Sequence, residues 1–232
     1  AVLERTYPIV RGAPSADLWG GGAVLKGQYD LVLPPEMPSG AYALRVALTG
    51  PGSPWHALTQ INVTGRQRLF VAPAMQHTSV ATLGNAATLL GYDATPLGAS
   101  PGGIVALTLY WRADQAFDQA YTVFTHVIDQ QGQVWGGQDN QPAQGEAPTT
   151  GWLPGEIIVD SYTIVLRADA PPGAYRLEVG MYDPRTGERL AGVDAAQQPL
   201  AGDRILLEAP LVVTASAVPE RLKSPLRAGG TP

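Results

Sequence analysis

The sequence predicts an all-β protein built from tandem immunoglobulin-like antiparallel β-sandwiches, the first of them abbreviated. Three observations carry that expectation. Gly and Pro supply 27 and 21 of the 232 residues, a density of turn formers and helix breakers that no helical bundle tolerates. Apolar residues alternate at period two, and no window sustains the 3.6-residue period of an amphipathic helix. A fixed offset of 133 residues aligns Trp19–Leu48 with Trp152–Met181 without a gap, and eleven of those 30 positions are identical.

Within each copy the pattern reads as strand, corner, strand. Tyr162–Leu166 is rich in β-branched and aromatic residues, Asp169–Gly173 forms a Pro-Pro-Gly corner that cannot continue a ladder, and Tyr175, Leu177, Val179 and Met181 alternate with Arg176, Glu178 and Gly180. One apolar face at period two means a half-buried antiparallel strand. Further strands are expected at Thr88–Asp93, Ile104–Trp111, Tyr121–Ile128, Glu156–Asp160 and Ile205–Thr214. In the second of these Val105, Leu107, Leu109 and Trp111 share one face. Asp129-Gln-Gln-Gly132 and Asp183-Pro-Arg-Thr-Gly187 read as hairpin connections, Asp opening a type I turn and Gly supplying positive φ. Seven short strands with regular turn signals fit a two-sheet sandwich. The expected organisation is an abbreviated sandwich at 1–72, a linker at 73–79, a complete sandwich at 80–215 and a disordered tail at 216–232.

Composition excludes several classes of function. Hydrophobic residues at 45% support a packed core, whereas charged residues reach only 15%, against roughly 25% in an average globular protein. Net charge is −5, and the 15 Lys and Arg residues form no basic stripe, so no nucleic-acid partner is expected. Nothing resembles a membrane span or a secretion signal. The chain begins without Met, which points to a piece of a longer protein. Zero Cys removes disulfides, thiolate nucleophiles and cysteine-type zinc sites.

Catalytic motifs are sparse. Gly98-Ala-Ser100-Pro-Gly102 satisfies the pattern of a serine hydrolase elbow, but Pro follows the serine and a strand rather than a helix comes next, so it reads as a turn. His56, His77 and His126 lack a second ligand at metal spacing. His126 shares a strand face with Phe124 and Ile128; it reads first as a core histidine satisfied by backbone, with a ligand-contacting role as the alternative. Glu156 and Asp160 lie on one strand face about 13 Å apart, too far to flank one glycosidic bond, and read as solvated strand ends or turn caps. Loop acids Asp139, Asp183, Asp194 and Asp203 could meet only in three dimensions. A calcium loop pattern is absent, and no catalytic residue, metal ligand or cofactor is assigned.

Trp and Tyr rings remain as candidate contacts, since a flat π surface matches the C–H face of a sugar. Trp111 and Trp152 are expected in the core. Trp135, ahead of a polar loop running from Gly136 through Asp139 and Asn140 to Thr150, is expected to be the more exposed ring. Trp135, His126, Asp139 and Asn140 form the candidate ligand contacts. Asn62-Val-Thr64 matches a glycosylation acceptor, a pattern frequent by chance.

Leu89-Leu-Gly-Tyr-Asp93, Leu107-Thr-Leu-Tyr-Trp111, Tyr121-Thr-Val-Phe-Thr-His126, Trp152-Leu-Pro-Gly-Glu156 and the run Pro171–Pro184 together resemble the C-terminal extracytoplasmic β-sandwich region of polytopic glycosyltransferase-like membrane proteins of Chloroflexi-type bacteria. The resemblance covers most of 80–214. It implies a non-catalytic accessory or interaction module on the extracytoplasmic face of the membrane or the cell surface. The partners it implies are a glycan or cell-envelope polymer and the rest of a membrane-embedded parent protein, in which any transferase chemistry would reside. The alternatives are a carbohydrate-binding module and a hydrolase whose carboxylates converge from loops.

Overall fold

A computed structural model describes residues 3–8, 26–48 and 52–215. The chain divides into two compact units, Ala1–Gly65 and Arg66–Pro232. In the first unit, β1 (Gly40–Val46) and β2 (His56–Val63) form an antiparallel ribbon. Its described side chains are largely exposed. The Trp19 end of the repeated segment and the tail read as disordered at 216–232 lie outside the described residues.

The second unit contains β3 (His77–Leu83), β4 (Ala87–Thr95), β5 (Gly98–Ala99), β6 (Ile104–Ala113), β7 (Thr122–Ile128), β8 (Val134–Asn140), β9 (Ile157–Val165), β10 (Gly173–Tyr182), β11 (Gly192–Asp194) and β12 (Ile205–Val213). They form two five-stranded sheets, ordered β11-β3-β4-β6-β9 and β5-β12-β10-β7-β8. All neighbours are antiparallel except β12 with β5. The fold is therefore all-β, and among the described residues helix is confined to short 3-10 turns at Pro142–Gly145 and Thr149–Gly151.

One apolar cluster joins the two sheets. Val105, Leu107, Leu109 and Trp111 of β6 meet Val123 and Val127 of β7, Leu177, Val179 and Met181 of β10, and Leu207 and Leu211 of β12. Period-two alternation places each set on an inner face, and layering two such faces excludes water from both. Trp111 and Trp152 are 0% and 1% exposed. The open side is closed where Gly136 bridges Leu166 and the Arg167 amide donates to the Trp135 carbonyl at 2.8 Å, so the outer strands β8 and β9 cover each other's edge.

Several sequence expectations change here. Of the segment read as a polar loop from Gly136 to Thr150, the first five residues, through Asn140, belong to strand β8. The segments 156–160 and 162–166 merge into one strand, β9. His77, inside the stretch read as a linker, opens β3. Leu69 pairs with Ile157 as an isolated bridge, so the chain from Arg66 onward packs with the second unit. The turn reading of Ser100 agrees with the structure, where the Gly103 amide donates to the Ser100 carbonyl at 2.8 Å.

The two copies of the repeated motif share a local geometry. The Tyr42 hydroxyl donates to the Pro38 carbonyl at 2.8 Å, and the Tyr175 hydroxyl to the Pro171 carbonyl at 2.6 Å. Each tyrosine pins the corner before its strand by a bond spanning four residues.

Candidate functional site

The outward face of the β5-β12-β10-β7-β8 sheet carries a dense polar and aromatic constellation. Strand registry builds it: His126 of β7 stands opposite Glu178 of β10, Phe124 opposite Gly180, and Ile128 opposite Arg176. On the other flank Phe124 faces Asp139, and His126 faces Gly137 of β8. Opposed residues project to the same face, so Phe124, His126 and Ile128 share one face, as the alternation along β7 predicted, and that face is the outward one.

Glycines make room for the rings of that row. A Cβ at Gly180 would come within 2.4 Å of Phe124 Cζ, and one at Gly137 within 2.7 Å of His126 Cδ2. The rings lie over bare backbone, stacked at 5.2 Å with 29° between their planes, and the Arg189 guanidinium covers Phe124 at 4.3 Å. Gly180→Ala is expected to lower stability by about 1–3 kcal/mol despite the better strand propensity of Ala. A urea midpoint equal to that of the wild type would show that the ring does not need the glycine.

His126 is bonded at both ring nitrogens. Nδ1 lies 3.1 Å from Glu178 and Nε2 3.1 Å from Asp139. Two acceptors on two nitrogens demand two N–H donors, which only the imidazolium supplies. The hydrogen bond to Asp139, followed by that to Glu178, accordingly pushes the histidine up from 6.5 to about 9. Burial works to raise the Glu178 carboxyl, but His126 and then Arg204, whose guanidinium is 2.5 Å away, hold it below its ordinary value. The backbone-satisfied core histidine is thus corrected: His126 faces away from the core, and its partners are carboxylates.

The sign of the pH effect follows from a raised folded value. Stability from His126 is fully present below pH 6.5 and is lost as pH rises through 9. With the ring partly solvated, the loss is on the order of 2 kcal/mol. Urea midpoints at pH 6 and pH 10 should separate for the wild type and converge for His126→Gln; equal separation in both would remove His126 as the source.

Trp135 is half-buried at the irregularity in β7–β8 pairing, packed against the edge of the core. It is more exposed than Trp111 or Trp152, as expected. Its indole N–H donates to Asp129 at 2.8 Å and its ring carries the Arg167 guanidinium at 4.9 Å. That indole bond, more than the turn amides of Gln133, Gln131 and Gly132, lowers the Asp129 carboxyl. Asn140 donates to Gln144 at 2.8 Å. Of the four candidates, the structure joins His126 to Asp139 directly, while Trp135 and Asn140 bond to other partners.

Glu156 and Asp160 were read as solvated or capping, and solvation is corrected for both: each is 0% exposed. Glu156 does cap a turn, accepting from the Leu153 amide at 3.0 Å, and it also takes Arg68 at 2.5 Å on Oε2. Arg66 sits 2.5 Å from Oε1 as a charge contact outside hydrogen-bond geometry. Asp160 accepts from the Ala143 amide at 2.8 Å and the Tyr162 hydroxyl at 2.7 Å. Desolvation nevertheless raises its carboxyl to about 6, and it raises the Tyr162 phenol as well. Among the described residues no three His, Asp or Glu side chains converge to hold an ion. Asp139 and Glu178 are directed to opposite nitrogens of one ring, so they do not share a coordination point.

Sequence reasoning missed a cavity of about 580 Å³ next to this constellation. Ile128 and Leu206 contribute apolar surface, Arg176, Arg204 and Glu208 stand around them, and the turn Asp129–Gly132 forms a further wall. Its volume falls within the range of small-molecule sites. Only the alternation in β10 and β12 hinted at it, by placing Arg176 and Glu208 outward. Among the described residues, neither the Arg176 guanidinium nor the Glu208 carboxylate has a hydrogen-bonding or ion-pairing partner.

The fold and site define an all-β protein with a polar, partly apolar cavity on one outward sheet face. No protein-family model matches the chain, and no curated protein matches it. Among solved structures, the chain is similar to the crystal structure of the C-terminal domain of wzt, with a TM-score of 0.40 and 15% identity over 69% of this chain and 92% of that one.

Proposed function

We propose that this chain is a non-catalytic accessory module that binds a glycan or cell-envelope polymer on the outward face of its β5-β12-β10-β7-β8 sheet. It acts outside the cytoplasmic membrane as part of a larger glycosyltransferase-like membrane protein, and its second unit is an immunoglobulin-like sandwich preceded by an abbreviated copy. The observation that carries the binding reading is the cavity on that face, where an unpaired cation and an unpaired anion flank apolar side chains. The shared tyrosine corner bonds support the duplication.

The hydrolase alternative has less support. It needs loop carboxylates free to act as acid and base, whereas Asp139 is bonded to His126, Asp183 to Arg185, and Asp194 to the Ala196 and Gln198 amides. A glycan array probed with the full chain tests the proposal: retention of at least one class of saccharide is expected, and binding to none removes the glycan reading. Reading the gene upstream of Ala1 for membrane helices tests the parent protein independently.

A further inference from the structure

The groups around the cavity specify more than a binding surface. Arg176 and Arg204 bring two positive charges, and Asp129 and Glu208 bring two negative ones. Two of the four are already engaged. Arg204 holds Glu178 at 2.5 Å. Asp129 accepts from the amides of Gln131 and Gln133, each at 2.9 Å, and from the Trp135 indole. Arg176 and Glu208 remain, a fork of donors and a pair of acceptors beside the exposed aliphatic surface of Leu206.

An anionic ligand seated there would satisfy Arg176 but press its charge on Glu208, and a cationic ligand would do the reverse. Desolvating either charge without a partner is unfavourable. A neutral ligand bearing adjacent hydroxyls satisfies both groups, because a hydroxyl donates to carboxylate and accepts from guanidinium. Its C–H face would meet Ile128 and Leu206. We infer that this cavity binds one neutral pyranose residue through a vicinal pair of hydroxyls, with Glu208 accepting and Arg176 donating. The inference rests on the glycan reading above and names its site and ligand class.

Saturation-transfer NMR and calorimetry on the full chain test it with the methyl glycosides of glucose, galactose, mannose and N-acetylglucosamine as neutral probes. Glucuronate and inorganic phosphate serve as anionic probes. At least one neutral glycoside is expected to bind, and Arg176→Ala and Glu208→Ala are each expected to weaken it about tenfold or more, a loss of about 1.4 kcal/mol. Arg112→Ala, on the other sheet, should leave affinity unchanged. Arg176 and Glu208 are exposed and unpaired, so both variants should keep the wild-type circular dichroism. Binding of glucuronate or phosphate alone overturns the inference and leaves the glycan reading standing if glucuronate is retained. Neutral binding untouched by both variants also overturns it, by placing the sugar elsewhere. Failure of every saccharide, on the array as well as here, removes both.

Discussion

Replacing Arg66 and Arg68 together by alanine is expected to cost about 3–5 kcal/mol of stability in the second unit, the penalty for leaving a buried charge uncompensated. Glu156 is fully buried, and both guanidinium groups reach it at 2.5 Å. Without them the carboxylate keeps only the Leu153 amide. Glu156→Gln should cost less, because the two arginines left behind retain partial contact with solvent, at 24% and 19% side-chain exposure. The triple variant, with Gln at 156 and Ala at 66 and 68, should recover most of the loss, since no buried charge then remains. Urea unfolding followed by circular dichroism reads all three, provided the slope stays constant. A double-alanine loss below about 1 kcal/mol would contradict a structural role for the cluster.

Trp152→Ala is expected to lower stability by about 3–5 kcal/mol. The ring is 1% exposed, meets Phe117 edge-on at 5.6 Å, and its indole N–H donates to the Ala147 carbonyl at 2.7 Å. Truncation opens a cavity and also frees the segment between Ala147 and Trp152. Trp152→Phe keeps much of the packing but leaves that carbonyl unpaired, for about 1–3 kcal/mol. Trp55→Ala is the contrast: at 55% exposure it should change stability by about 0.5 kcal/mol or less. Thermal melts of the three variants rank them, and a Trp152→Ala midpoint level with that of Trp55→Ala would refute a core role. Trp152 and Glu156 share the turn at Leu153, so their losses should not add.

The inner rows of β6 and β10 were legible because period two survives in the sequence wherever one face is buried. Val105, Leu107, Leu109 and Trp111 could be assigned together without knowing what they would meet. Strand β8 was not legible. Its Gly136 and Gly137 lower strand propensity, yet a Cβ at Gly136 would come within 2.8 Å of the Val165 carbonyl, and one at Gly137 would run into the His126 ring. Those glycines answer to neighbours 29 and 11 residues away in the chain, which local pattern does not encode. That His126 shares a strand face with Phe124 and Ile128 was readable, whereas the outward direction of that face and the two carboxylate partners were not.

The reading of Glu156 and Asp160 failed for a related reason. An isolated carboxylate belongs in water, and Arg68, which neutralises Glu156, lies 88 residues earlier. Asp160 finds its amide donor in a turn where Ala143 and Gln144 adopt positive φ, at 52° and 56°. Nothing in those residue types announces a left-handed backbone, which glycine or asparagine would ordinarily supply.

The all-β class, the inward rows of β6 and β10 and turns such as that at Ser100 could be read from the sequence, because alternation, glycine and proline act on backbone a few residues at a time. Only the tertiary structure decided which charges face one another and where a cavity opens. Those outcomes depend on register between strands distant in the chain, and a shift of one residue would turn every side chain of a strand to the opposite face.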